Sequence, residues 1–160
     1  MIENLGLQEL INGQGIWVGT YFISLISGFF PIINAELMLL MLSSNLDKNL
    51  FIPVIIIATL GQMTAKALTY FAGKGVLKIS IKKYESKLDI IKEKMEKWKS
   101  KMGVFMFISA FSGIPPFYAV SVVAGMTRLS FWRFLLTGIA GRSMRFSMMM
   151  LFPVLFQKIF

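Results

Sequence analysis

Residues 16–43 read IWVGTYFISLISGFFPIINAELMLLMLS, a run whose single charged side chain is Glu36. As one straight helix it would be about 42 Å long at 1.5 Å per residue, longer than a bilayer core of roughly 30 Å. Gly28 and Pro31 interrupt it near the middle, with Asn34 and Glu36 just beyond. Proline removes a backbone donor and clashes with the preceding turn, so the run is expected to form two helices of about 12 residues joined by a bend. Such a pair can dip into a membrane and return to the side it came from.

The rest of the chain has the same character. Residues 103–127 read GVFMFISAFSGIPPFYAVSVVAGMT, without a charged residue, and break at Gly113, Pro115 and Pro116. Residues 50–73 carry only Lys66 and have the length of one full crossing. Within them Gly61, Ala65, Thr69 and Ala72 form a small-residue face on which another helix can approach closely. Residues 129–157 are long enough to cross once and carry Arg133, Arg142 and Arg145. Residues 79–102 alternate apolar positions at three- and four-residue steps (Ile81, Tyr84, Leu88, Ile91, Met95, Trp98, Met102) on a Lys- and Glu-rich helix, which suits a membrane surface.

The two broken runs resemble each other. Phe22-Ile23-Ser24, Ser27-Gly28, Pro31 and Met41 recur as Phe107-Ile108-Ser109, Ser112-Gly113, Pro116 and Met126, all at one offset (107 − 22 = 85) without a gap. If both are re-entrant hairpins, the single crossing 50–73 between them makes them enter from opposite faces, an inverted repeat of the kind transporters use. If both cross fully, the repeats are parallel and Arg128 and Arg133 reach the outer face. Ten lysines lie between Lys74 and Lys101, which marks that loop and helix 79–102 as cytoplasmic. The re-entrant arrangement keeps Arg128 and Arg133 on the same side and leaves only Lys48 and Lys158 outside, so the charge asymmetry favours it. The expected fold is an all-α integral membrane protein. One membrane domain, residues 1–160, holds re-entrant hairpins 16–43 and 103–127, transmembrane helices 50–73 and 129–157, and the amphipathic helix 79–102.

Composition narrows the chemistry. Hydrophobic residues make up 56% and charged ones 16%, against roughly 25% charged in a soluble domain. The net charge of +9 does not signal nucleic acid, because ten of the seventeen basic residues belong to one loop of a membrane protein. The absence of Cys and His removes thiol and imidazole catalysis, disulfides and Cys/His metal sites. The two aspartates, Asp47 and Asp89, lie outside the apolar runs, which argues against an intramembrane aspartyl protease. Gly73-Lys74-Gly75 lacks the Walker spacing and reads as the end of a membrane helix. No enzyme activity, cofactor or metal is expected. The first fifteen residues carry no basic n-region, so the first apolar run is expected to stay in the mature chain.

Charge within the apolar runs is where function is sought. A charge at the bilayer centre costs roughly 3 kcal/mol on insertion scales. Glu36 is read as a proton or substrate ligand, against the alternative of a structural ion pair with Lys66, Arg142 or Arg145. Arg142 and Arg145 are three apart and share a helix face. With Lys66 they make three positive groups against one negative, an excess that suits an anion, and guanidinium forks suit phosphate. Snorkelling to the interface is the competing reading, strongest for Lys66. Arg133, beside Trp132, reads as an interface anchor. Arg128 follows the second hairpin directly and could hold its exit or touch a lipid headgroup.

Taken together, Phe30-Pro31 with Glu36 five residues on, Gly61 through Tyr70 to Gly73-Lys74-Gly75, and Ala124-Gly125-Met126-Thr127-Arg128-Leu129-Ser130-Phe131 resemble the DedA family, also called the VTT or SNARE-associated membrane domain. Gly141-Arg142-Ser143-Met144-Arg145-Phe146 is most similar to its short YqaA-like branch. The resemblance implies two re-entrant hairpins around a membrane-embedded site and translocation of a lipid such as a polyprenyl phosphate or phospholipid. It places proton coupling on Glu36 and headgroup binding on Arg128, with Arg133 next. The chain departs from the pattern at Ser112-Gly113-Ile114-Pro115-Pro116, where longer members carry an arginine, and in lacking a second acid in the first hairpin. The overall expectation is an inner-membrane, multi-pass lipid transporter. Its anionic headgroup would rest on Arg128, Arg142 and Arg145, with Arg133, Lys66 and Asn34 as secondary candidates. A homo-oligomer is compatible with it. The alternative is a membrane-organising or partner-binding module that docks through helix 79–102.

Overall fold

A computed structural model describes residues 14–30, 34–80 and 101–159. Pro31 and residues 81–100 of the expected amphipathic helix lie outside the described residues. Everything described is helix or short connection, with no strand among the described residues. The elements are α1 (Gln14–Phe29), α2 (Ala35–Asn45), a 3₁₀ turn (Lys48–Leu50), α3 (Phe51–Ser80), α4 (described over Lys101–Ser112), α5 (Phe117–Met126) and α6 (Phe131–Ile159).

Local chemistry explains the boundaries. α2 starts where Asn34 Oδ1 accepts from the Glu36 amide at 2.9 Å, an N-cap that satisfies one of the free donors of the first turn. α4 stops at Ser112 because Gly113 adopts φ +80°, left-handed backbone that only glycine enters without strain. Two serines then close the bend between α4 and α5. Ser109 Oγ donates to the Pro115 carbonyl at 2.6 Å, and Ser112 Oγ accepts from the Ile114 amide at 3.1 Å. Pro116 caps α5, its carbonyl accepting from the amides of Ala119 and Val120.

Gly73-Lys74-Gly75 is read from sequence as the end of a membrane helix; the long apolar stretch closes at Gly75, while the helix itself continues to Ser80. Gly73 also serves a contact: a Cβ there would stand 2.3 Å from the Val122 carbonyl oxygen of α5. Gly125 does the same from the other side, its absent Cβ falling on the Tyr70 carbonyl. The small-residue face expected along α3 is therefore only partly used. Gly61 and Ala65 are buried, whereas Ala72 is exposed and the buried stripe continues as Lys66, Tyr70 and Gly73.

The stretch Lys48–Gly75 is long and apolar enough to cross a bilayer. Ile52, Ile56 and Leu60, at four-residue steps, lie on one apolar and open side of it, with Ile52 70% exposed. Large exposed apolar patches mark contact with lipid or a partner. α2, with 11 residues, and α5, with 10, are about 15–17 Å long, well under a bilayer core.

The chain divides into two compact units. The first comprises Met1–Gln62 and Phe146–Phe160, the second Met63–Arg145. The core of the first is Ala35 and Leu39 of α2, Phe51, Val54 and Ala58 of α3, and Phe146 and Met150 of α6. The core of the second gathers Met63 and Tyr70 of α3, Met106 and Ala110 of α4, Phe117, Val120 and Ala124 of α5, then Leu129 and Phe134. Tyr70 is its hub: its ring stacks on Phe134 at 5.1 Å, and its hydroxyl donates to the Leu129 carbonyl.

Candidate functional site

In the second unit three cations surround the bend between α4 and α5, residues 111–118. Arg142 and Arg145 sit near the middle of the 29-residue α6, one turn apart on the same face. Gly138 and Gly141 let that stretch of α6 press close: a Cβ on Gly141 would stand 2.7 Å from the Ala110 Cβ and 2.9 Å from the Phe107 carbonyl oxygen of α4. Arg142 is buried, with its guanidinium 5.5 Å from the centre of the Phe117 ring. Arg145 Nη1 donates to the Phe111 carbonyl at 2.8 Å, in the last turn of α4. That carbonyl belongs to the four at a helix C-terminus that lack an intrahelical partner, and inside a membrane each must find one.

Lys66 completes the cluster from α3. It is 4% exposed, and its ammonium lies 5.9 Å from the centre of the Tyr118 ring. Lys66 is thus held inside the unit rather than extended outward as a snorkelling side chain would be. It also lies within electrostatic reach of Arg142. Adjacent residues at the start of α5, Phe117 and Tyr118, therefore each present a ring to one buried cation. Cation–π contacts at this range contribute about 0.5–2 kcal/mol depending on desolvation, which offsets only part of what it takes to bury the charge.

The other candidates lie elsewhere. Arg128 and Arg133 are exposed. Arg128 occupies the αL position after α5, with φ +51°, and its amide donates to the Gly125 carbonyl at 3.0 Å. With Leu129 N donating to Ala124 O at 3.1 Å, this is a C-terminal cap built on a residue other than glycine. Glu36, in the first unit, is half-buried in the first turn of α2, the positive end of that helix's dipole. Asn34, read as a secondary ligand, spends its side-chain oxygen on the N-cap.

Sequence reasoning passed over a second polar cluster. In the first unit, Gln62 Nε2 donates to Ser27 Oγ at 2.9 Å, and Ser27 Oγ donates to the Ser24 carbonyl at 2.8 Å. Thr20 and Thr59 are buried as well. The signal was present, since Gln62 is the one side-chain amide in the apolar run 50–73. Tyr118 and Phe117 carried no signal, because aromatic residues are expected anywhere in an apolar helix.

Residues 33–152 match the family model of the VTT domain. No curated protein and no solved structure shows a significant match to the chain. The matched region covers 120 of the 160 residues (152 − 33 + 1), from the N-cap of α2 through both arginines of the buried cluster. On that match and an all-helical, apolar frame, the chain belongs to the VTT-domain family of DedA-type membrane proteins.

Proposed function

We propose that the protein is a multi-pass inner-membrane transporter, not an enzyme, that moves an anionic, phosphate-bearing lipid across the bilayer. The observation that carries this reading is the buried cation cluster at the α4–α5 bend. Lys66 and Arg142 sit together against Tyr118 and Phe117, with Arg145 beside them at the end of α4. A phosphate placed there would balance like charges gathered in an apolar region, and guanidinium groups match its geometry.

In this reading α1–α2 and α4–α5 are re-entrant hairpins forming an inverted repeat. The short lengths of α2 and α5 support it, as neither is long enough to cross alone. The hairpins let non-helical backbone reach the depth of the headgroup site, which is tolerated where it is buried in protein. The residues of the bend then act as the floor of the headgroup site. Arg145 closes α4 at the rim of the site, while Arg142 and Lys66 supply charge. Glu36 couples transport to protons, and Arg128, on the exposed turn after α5, receives the headgroup at the membrane surface. The lysine-rich segment 79–102 faces the cytoplasm.

Purified protein in vesicles carrying a fluorescent polyprenyl phosphate or anionic phospholipid should accelerate lipid flipping. Arg142→Ala should reduce the rate at least tenfold, and Glu36→Gln should remove its dependence on a pH gradient. Wild-type flipping by both variants would sink these roles.

A further inference from the structure

Five polar side chains are buried where α1 meets α3 in the first unit. Thr20, Ser24 and Ser27 follow one another at four- and three-residue steps along one face of α1, and Thr59 and Gln62 are three apart on α3. Gly61 brings the two helices together, since a Cβ there would stand 2.5 Å from the Tyr21 carbonyl oxygen and 3.0 Å from the Ser24 Cβ. The hydrogen bonds from Gln62 to Ser27 and from Ser27 to the Ser24 carbonyl use the amide nitrogen and one hydroxyl. Two atoms are left over. Ser24 Oγ and Gln62 Oε1 are buried and hydrogen-bond to no group of the protein. Ser24 is 0% and Gln62 5% exposed.

Buried polar atoms in proteins are nearly always satisfied, and a site with several polar groups suits a small bound partner. Served by one group, the two atoms define it. The amide oxygen only accepts, so the partner must donate to it. The serine hydroxyl carries a proton of its own, so the partner must also accept. An ammonium group cannot accept, a phosphate dianion cannot donate, and a metal ion leaves the serine proton without an acceptor. An O–H group does both.

We propose that Ser24 and Gln62 bind a single uncharged O–H group inside the α1–α3 crossing, either a water molecule or a hydroxyl of a polyol lipid headgroup. The site lies in a different unit from the cation cluster and stands whether or not that cluster holds phosphate. It gives the first unit a polar foothold that attracts no charge.

Ser24→Ala tests this by the sign of its effect on stability. If the hydroxyl has a bound partner, its removal lowers Tm, by about 2–4 °C for a chain of this size. If the hydroxyl is buried with nothing bound, its removal relieves an unsatisfied group and Tm stays level or rises. A level or raised Tm overturns the proposal. Because the chain has no cysteine, Ser24→Cys provides a second reading that keeps serine's shape. With a small water-soluble methanethiosulfonate it should react at least tenfold faster than Ala58→Cys, an equally buried apolar position of the same unit. Equal rates overturn the proposal. Vesicles of phosphatidylglycerol, which carries headgroup hydroxyls, and of phosphatidylcholine, which carries none, separate the two sources. Slower labelling in phosphatidylglycerol identifies a headgroup hydroxyl, and the same fast rate in both identifies water.

Discussion

At Gly61, α3 presses against α1 so closely that a methyl group would meet the Tyr21 carbonyl, and the next residue is the buried amide Gln62. At Gly141, α6 presses against α4 in the same manner, and the next residue is the buried guanidinium Arg142. The α1 and α4 helices of these crossings each also carry a fully buried serine, Ser24 and Ser109. The packing device is shared and the polar contents differ. The first crossing is neutral, with one amide serving the end of α1 through Ser27. The second is cationic, with Arg145 serving the end of α4 through Phe111 and two more cations against aromatic rings. A glycine crossing makes room for a polar side chain in an apolar interior, and the residue after it decides whether that room is neutral or charged.

The strongest way to break the comparison is to exchange the contents. Gln62→Arg puts a new cation into the neutral crossing and should destabilise the protein by about 3–5 kcal/mol, the range for an uncompensated buried charge. Arg142→Gln should leave a folded protein that no longer accelerates flipping. Thermal unfolding in nanodiscs and the vesicle assay read the two outcomes. Equal stability for both variants would mean that the two crossings do not differ in kind.

Next come the glycines. Gly61→Ala and Gly141→Ala should each cost about 3 kcal/mol, toward the upper end for overpacking. Ala110→Gly should partly rescue Gly141→Ala, because a side-chain methyl is its nearest obstacle. No neighbouring side chain can rescue Gly61→Ala, whose obstacle is the Tyr21 carbonyl. Tm of the single and double variants decides this.

A smaller effect separates the two helix ends. Arg145→Met removes a charged donor from the Phe111 carbonyl and should cost about 1.5–2 kcal/mol, whereas Ser27→Ala removes a neutral partner and should cost about 1 kcal/mol. Hydrogen exchange should show the loss of protection confined to the end of α4 in the first case and to the end of α1 in the second.

The smallest change lies at the turn that follows α5. Arg128→Gly relieves a left-handed residue and should stabilise by about 1 kcal/mol. If the Arg128 side chain also receives a headgroup, flipping should fall while Tm rises. A rise in both would leave Arg128 a cap and nothing more.

Much of the frame is legible in the sequence. Helices stop at Phe29 and Ser112 and begin again at Ala35 and Phe117, around the glycines and prolines singled out in the two broken runs. Arg142 and Arg145 stood out because charge is rare in an apolar run. Lys66 was harder, since a lysine near either end of a crossing can extend to water. Its burial depends on Tyr118, which lies 52 residues further along (118 − 66). The packing role of Gly73 was hidden for a similar reason. Next to Lys74 and Gly75 it reads as the end of the apolar stretch, and nothing beside it announces its contact with Val122. The role of Arg145 as a cap on another helix could not be inferred from its own neighbours.

The sequence by itself determined that the chain is helical and apolar, and where its helices break. Those properties are local, because proline lacks its N–H, glycine alone enters positive φ freely, and ionised groups avoid lipid, whatever lies across the fold. Tertiary structure decided which glycines became crossings, which cations were buried, and which polar atoms met there. Those outcomes depend on the distance between backbones far apart in the chain, and close packing sets that distance only when the whole unit has assembled.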